Sequence, residues 1–181
     1  MSRTLLNIAA FQLSWFGCVL GAVKGYPLLG PAIVSIVVVL HLSLAHRPGR
    51  ELVLILLAGA LGALFDSALV SSGWIVYPNG TIWAGTAPYW IVALWLAFAT
   101  TLNLSMRWLR GSPWVAALFG AIGGPLSYAA GARLGGLQFV NEAAALGALA
   151  IGWAVITPLL VELSRRLDGV QPEPTALHRH A

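Results

Sequence analysis

Charge is what this sequence has least of. Lys, Arg, Asp and Glu together make up 9% of its 181 residues, where a soluble domain carries about 25%. So few charges cannot cover a water-facing surface, which excludes an ordinary soluble globule. Cysteine is nearly absent as well: Cys18 stands alone, so there is no intrachain disulfide and no CxxC metal or redox pattern. HExxH, GxSxG, P-loop and GxGxxG patterns are missing too, which removes the familiar metallohydrolase, serine-hydrolase and nucleotide-binding templates. His41 and His46 lie five apart and so do not share a helix face, as residues three or four apart would. The formal charge of +4 invites a nucleic-acid reading, but the arginines are scattered between apolar runs and no basic stripe tracks phosphates. No metal, cofactor or nucleic-acid partner is expected, and whether the chain is an enzyme stays open.

Apolar sequence is what is there in excess. Hydrophobic residues make up 59% of the chain, and the mean hydropathy is +0.83. The apolar residues come in runs of about 18–20, the length that crosses roughly 30 Å of hydrocarbon as a helix. Barrel strands would alternate apolar and polar residues in segments of about ten, and these runs are continuous. The expected fold is therefore all-α: a polytopic membrane bundle of about six transmembrane helices, at 5–23, 27–45, 52–71, 88–106, 114–132 and 143–163. The breaks between them carry turn residues such as Pro48-Gly49 and Tyr77-Pro78-Asn79-Gly80. Residues 1–164 form the transmembrane domain, and 165–181, with Gln171-Pro172-Glu173-Pro174, are expected to be a disordered cytoplasmic tail.

Orientation follows from Lys and Arg near the span ends. Arg3, Arg47, Arg50, Arg107, Arg110, Arg165, Arg166 and Arg179 fall on one side, and only Lys24 and Arg133 on the other. Both termini are therefore placed in the cytoplasm. Trp74, Trp83 and Trp90 are expected at the outer interface, and Trp108 and Trp114 at the inner one. The first span is retained rather than cleaved, because Trp15-Phe16-Gly17 before Cys18 suits neither a signal-peptidase site nor a lipid-attachment site.

Asp66 is the most informative residue. It lies 14 positions after Leu52, about 21 Å into its span at 1.5 Å per residue, and a carboxylate there costs about 2.5–3.5 kcal/mol to insert. Its expected partners are Lys24 and Arg133, near the outer ends of their spans. Two readings stand: a binding or proton-accepting carboxylate in a polar pocket open outward, or a structural pair that fixes helix packing. Tyr128 and Arg133 are candidate pocket walls, and Glu142 with Asn141 either completes a polar cluster or serves the helix dipole. Pro125, among the glycines of the fifth span, either frees carbonyls to line a cavity or sits in a close-packed seam. Gln12, Asn103 and Thr157 are read as interhelical hydrogen bonds worth about 0.6 kcal/mol each, and Gly17, Gly21 and Gly25 as a packing ridge.

Asn7, Phe11-Gln12 and Trp15-Phe16, then Asp66, Pro88-Tyr89-Trp90 with Trp95, and Gly124-Pro125-Leu126-Ser127-Tyr128 followed by Gly131 and Arg133-Leu134-Gly135 together carry a resemblance. Over about residues 5–163 the chain resembles a family of small multi-pass bacterial inner-membrane proteins known by a domain-of-unknown-function label. The fifth-span motif is its most specific part. The resemblance implies a location in the bacterial inner membrane and gene neighbours that modify membrane fatty acids, and it supplies no catalytic residues. The leading expectation is a protein that binds a lipid or small amphiphile in an outward-facing pocket around Asp66, Tyr128, Arg133, Lys24 and Glu142. A small proton-coupled transporter and a membrane-embedded lipid-modifying enzyme are the alternatives. Membrane lipids are the expected partners, with a homo-oligomer or an envelope protein left open.

Overall fold

The computed structural model describes residues 3–171. They form six α-helices in sequence: α1 (Arg3–Val23), α2 (Leu29–Ser43), α3 (Pro48–Ser71), α4 (Tyr89–Leu102), α5 (Pro113–Arg133) and α6 (Glu142–Arg166). The architecture is the expected all-α bundle. α1, α3, α5 and α6 are long and apolar enough to cross a membrane, while α2 and α4 are shorter apolar helices. At 1.5 Å per residue the 14 residues of α4 rise only about 21 Å, so the run expected at 88–106 is not one helix.

Local hydrogen bonding explains why α4 stops early. The Thr100 and Thr101 hydroxyls donate to the carbonyls of Ala97 and Phe98, three residues back, which tightens the last turn. Beyond Leu102 the chain folds back, with Met106 N donating to Thr101 O, and continues as a short 3-10 helix, Arg107–Gly111. α2 begins later than expected because Tyr26–Leu28 form a turn. Its Pro31 falls in the first helical turn, where a missing N–H has no intrahelical partner to lose.

α4 is the centre of the bundle, packed by α1, α2, α3 and α6, and α5 lies outermost against α6. Glycines set these approaches. A side chain at Gly62 would run into the Trp95 ring, and one at Gly120 into the Trp153 carbonyl and Thr157, so the α5 glycines are a packing seam and α5 continues through Pro125. On α1, Gly17 and Gly21 pack on α2 as the ridge expected there, while Gly25 has left the helix for the turn.

The N-terminus of α1 and the C-terminus of α6 lie at one end of the bundle, tied together through the 103–111 turn. The opposite end carries the loops. There α3 and α5 close with glycines in the left-handed region, Gly73 at φ 72° and Gly135 at φ 91°, whose following N–H groups bond back to Leu69 O and Gly131 O. These turns start the segments that pair as a two-stranded antiparallel ribbon, β1 (Ile75–Val76) with β2 (Gln138–Phe139).

α6 runs to Arg166, and the chain after it is held against α3: Gly169 O accepts from Arg47 N, and Gly169 N donates to Glu51. Of the tail expected at 165–181, residues 172–181 lie outside the described residues. Three residues, Trp90, Thr157 and Gln12, stand otherwise than expected. Trp90, expected at the interface, is in the core, its indole N–H donating to Asn79 O. Thr157 is buried without the interhelical hydrogen bond expected of it, and Gln12 faces outward.

Candidate functional site

Asp66 sits on the inward face of α3, one turn after Gly62, and is fully enclosed. Its partners are neutral. Oδ1 accepts from the Tyr128 hydroxyl at 2.6 Å and the Tyr77 hydroxyl at 3.1 Å, and Oδ2 accepts from Trp95 Nε1 at 2.7 Å. The donors come from α5, from the loop after β1, and from α4, so one carboxylate fastens three separate elements. Hydrogen bonds to a charged group contribute about 1.5–3 kcal/mol each, and three of them exceed the roughly 2.5–3.5 kcal/mol cost of placing the group in a membrane. Burial, then the nearby Asp66 charge, pushes the Tyr77 phenol well above its ordinary value, which keeps it a donor.

Of the residues expected around Asp66, the structure brings only Tyr128 to it. Lys24, Arg133 and Glu142 are exposed at the loop end and make no ion pair or hydrogen bond to Asp66. Lys24 and Arg133 cap the ends of their helices, where long cationic stems reach water, and Glu142 opens α6, with Asn141 accepting from Ala144 N as its N-cap. The expected outward-open carboxylate is therefore corrected to a closed one. Tyr77 and Trp95 were missed as partners. Tyr77 lies in what reads as a plain turn, and a fully apolar helix hides which tryptophan edge points inward.

The open space lies beside Asp66. Trp95 and Tyr128 turn their other faces to a narrow cleft, about 60 Å³ inside, walled by Trp15 of α1 and Trp153 of α6. Trp95 and Trp153 stack, with ring centroids 4.4 Å apart and 15° between planes. α1 and α5 barely touch along this cleft and are bridged by Trp15 Nε1 donating to Ser127 Oγ at 2.9 Å. Trp15, Trp95, Gly124, Ser127, Tyr128 and Gly131 all belong to the sequence pieces singled out above.

A second polar cluster lies at the arginine-rich end, and the sequence reading saw only fragments of it. Glu51, in the first turn of α3, is fully buried. Its Oε2 lies 2.8 Å from His41 Nε2, and its Oε1 accepts from Asn103 Nδ2 and from Gly169 N at 2.7 Å. Asn103 Oδ1 in turn accepts from Arg110, which also reaches Ser164 O at 3.0 Å and Asp168 Oδ2 at 2.9 Å. Arg107 adds a contact to Asp168 at 3.3 Å. Burial raises the Asp168 carboxyl, but the Arg110 hydrogen bond and charge, with the N–H groups of Gln171 and Val170, hold it below its ordinary 3.8.

Fold and site thus define a helical bundle with several membrane-length apolar helices, knit by two enclosed carboxylates. Residues 4–159 match the model of the family described as "Protein of unknown function (DUF2878)", and the chain belongs to that family. No curated protein and no solved structure matches the chain.

Proposed function

We propose that this chain is a membrane protein of the bacterial inner membrane that takes an apolar or amphiphilic small molecule, lipid-derived or lipid-like, into the aromatic cleft between α1 and α5. One observation carries the reading: five tryptophan and tyrosine side chains from four helices converge on one cleft, and the polar ends of two of them, Trp95 and Tyr128, are fixed by a carboxylate that does not face the cavity. Binding sites are commonly concave and aromatic-lined, with few polar groups. Asp66 here positions a wall and does not touch the guest. The near-separation of α1 and α5 gives a lateral route from the bilayer. The arginine distribution supports a cytoplasmic placement of both termini, and the role would be to hold such a molecule during remodelling of envelope lipids.

A second reading, proton-coupled transport with Asp66 as the proton acceptor, is favoured by the lack, among the described residues, of any cation on that carboxylate. One set of variants separates the two. Gly131 lines the cleft, and a Cβ there meets only Leu137 at 3.6 Å, so Gly131→Leu introduces bulk into the cleft from a point that has room for it. Native mass spectrometry of the purified chain is expected to lose the co-purifying amphiphile in Gly131→Leu and to keep it in Asp66→Asn. Retention in Gly131→Leu would overturn the cleft reading. Loss of pH-driven uptake in Asp66→Asn proteoliposomes, with bound ligand unchanged, would favour transport.

A further inference from the structure

At the arginine-rich end a crevice of about 270 Å³ opens between the start of α1 and the end of α2. Most of its wall is aliphatic. Leu6, Leu40 and Leu44 line it and are themselves more than half exposed on the bundle surface, so the crevice is continuous with the lipid-facing side. Its polar lining is Arg3, Asn7 and His41. Asn7 is already spent: Nδ2 donates to Thr100 O at 3.1 Å, and Oδ1 accepts from the Ser105 hydroxyl at 2.6 Å. His41 is half spent. Nε2 is held by the buried Glu51, which leaves Nδ1 as the nitrogen available to a ligand. Among the described residues Arg3 has no carboxylate partner, whereas Asp168 is matched by Arg110 and Arg107, and Glu51 by His41.

We propose that this crevice binds the headgroup of an anionic phospholipid, with Arg3 and His41 on the phosphate and the acyl chains laid along Leu6, Leu40 and Leu44. Charge selects the headgroup. The two acids of the neighbouring network are already compensated, so the guanidinium of Arg3 is left to a negative ligand, at the end of the bundle where basic residues meet anionic leaflets. The aliphatic wall selects a lipid over a soluble phosphate, because a free anion would leave that wall to water. His41 contributes through a ring fixed in place: Nε2 is held 2.8 Å from the Glu51 carboxylate, which leaves Nδ1 as the nitrogen that meets the phosphate. Glu51 of α3 lies against that ring, with the neutral Asn103, just after α4, behind it, and Arg3 of α1 lines the same crevice.

The test is a lipid titration of the purified full chain in detergent, read by native mass spectrometry. Phosphatidylglycerol is compared with phosphatidylcholine of the same acyl chains. Phosphatidylglycerol is expected to bind more tightly, and Arg3→Ala to weaken it about fivefold, as one basic side chain near a charged headgroup is worth roughly 1 kcal/mol. His41→Gln retains a donor to Glu51 while deleting Nδ1 and should weaken binding similarly; should that variant not fold, Arg3→Ala decides alone. Equal binding of the two lipids overturns the proposal, as does an unchanged Arg3→Ala. An equal loss in Arg133→Gln, at the far end, would reveal non-specific attraction, and full displacement by millimolar inorganic phosphate would reveal a soluble-anion site. Gly131→Leu should leave phosphatidylglycerol binding intact, so failure of the aromatic-cleft reading would not be mistaken for failure of this one.

Discussion

Asp66 and Glu51 lie on the same helix and are both closed off from solvent, yet the chain compensates them in different ways. Asp66, toward the loop end, is met by two phenols and an indole. Glu51, at the arginine-rich end, opens a relay that passes through Asn103 to Arg110 and Asp168 and includes His41 and the backbone of Gly169. The reason is where cations can stand. Of the nine basic residues described, seven gather at one end, so an acid there can be tied to guanidiniums close to the interface. The two at the loop end, Lys24 and Arg133, are exposed, and an acid on that side is left with neutral donors. Neutral donors can be packed without desolvating a second charge, which lets Asp66 sit deep and hold α3, α4 and α5 at one point. The cationic network instead stitches chain ends, joining α2, α3, the 103–111 turn and the segment after α6.

This contrast fixes the largest expected effect. Glu51→Ala strands His41, Asn103 and the Gly169 N–H in a buried pocket, and breaking such a cluster from one side costs about 3–5 kcal/mol. Asp66→Asn should cost only about 1 kcal/mol. Its carboxamide oxygen still accepts from Trp95, and its amino group can donate to the tyrosine hydroxyls, which accept as well as donate. Thermal unfolding of both variants in one detergent, followed by circular dichroism, measures the difference. If Asp66→Asn melts as low as Glu51→Ala, the neutral-donor account of Asp66 fails.

How far this was legible in the sequence depends on which kind of signal a residue gives. Long apolar runs announced α1, α3, α5 and α6, because a helix must satisfy its own backbone hydrogen bonds in lipid wherever that run occurs. The early end of α4 was not announced, since it depends on Thr100, Thr101 and Asn103 finding local and distant partners that composition does not reveal. Asp66 and Tyr128 were legible because polar groups in apolar runs are conspicuous. Their pairing with Tyr77 was not, because a loop tyrosine has no helical periodicity to orient it. Glu51 escaped notice for the opposite reason. It stands beside Pro48-Gly49-Arg50 and reads as an ordinary acid in the first turn of a helix, and only the return of the chain at Gly169 seals it from water.

A middling effect separates the two clusters by pH. The Asp168 carboxyl is held below its ordinary value in the folded chain, so it contributes stability above the unfolded carboxylate range, and that contribution is lost as pH falls through the folded value, below about pH 4. Asp168→Asn should therefore flatten the acid limb of the melting-temperature profile and cost about 1 kcal/mol or less at pH 7, because the pair is partly open to water. A profile unchanged by the substitution would mean that the Arg110–Asp168 link does not anchor the segment after α6.

The smallest effect is the sharpest test of the loop end. If Asp66 drew on Lys24 or Arg133 through a bond formed only part of the time, neutralising both would leave its charge less compensated, and the Lys24→Gln, Arg133→Gln double variant would melt markedly lower. The geometry expects otherwise: both side chains are exposed, and Asp66 already accepts from three donors, so the change should stay within about 0.5 kcal/mol, as for surface substitutions generally. A loss above about 2 kcal/mol would restore a cation to Asp66 and erase the distinction between the two ends. A null result, set beside a large effect of Glu51→Ala under the same conditions, would mean that this bundle uses guanidiniums to hold its acid at one end only.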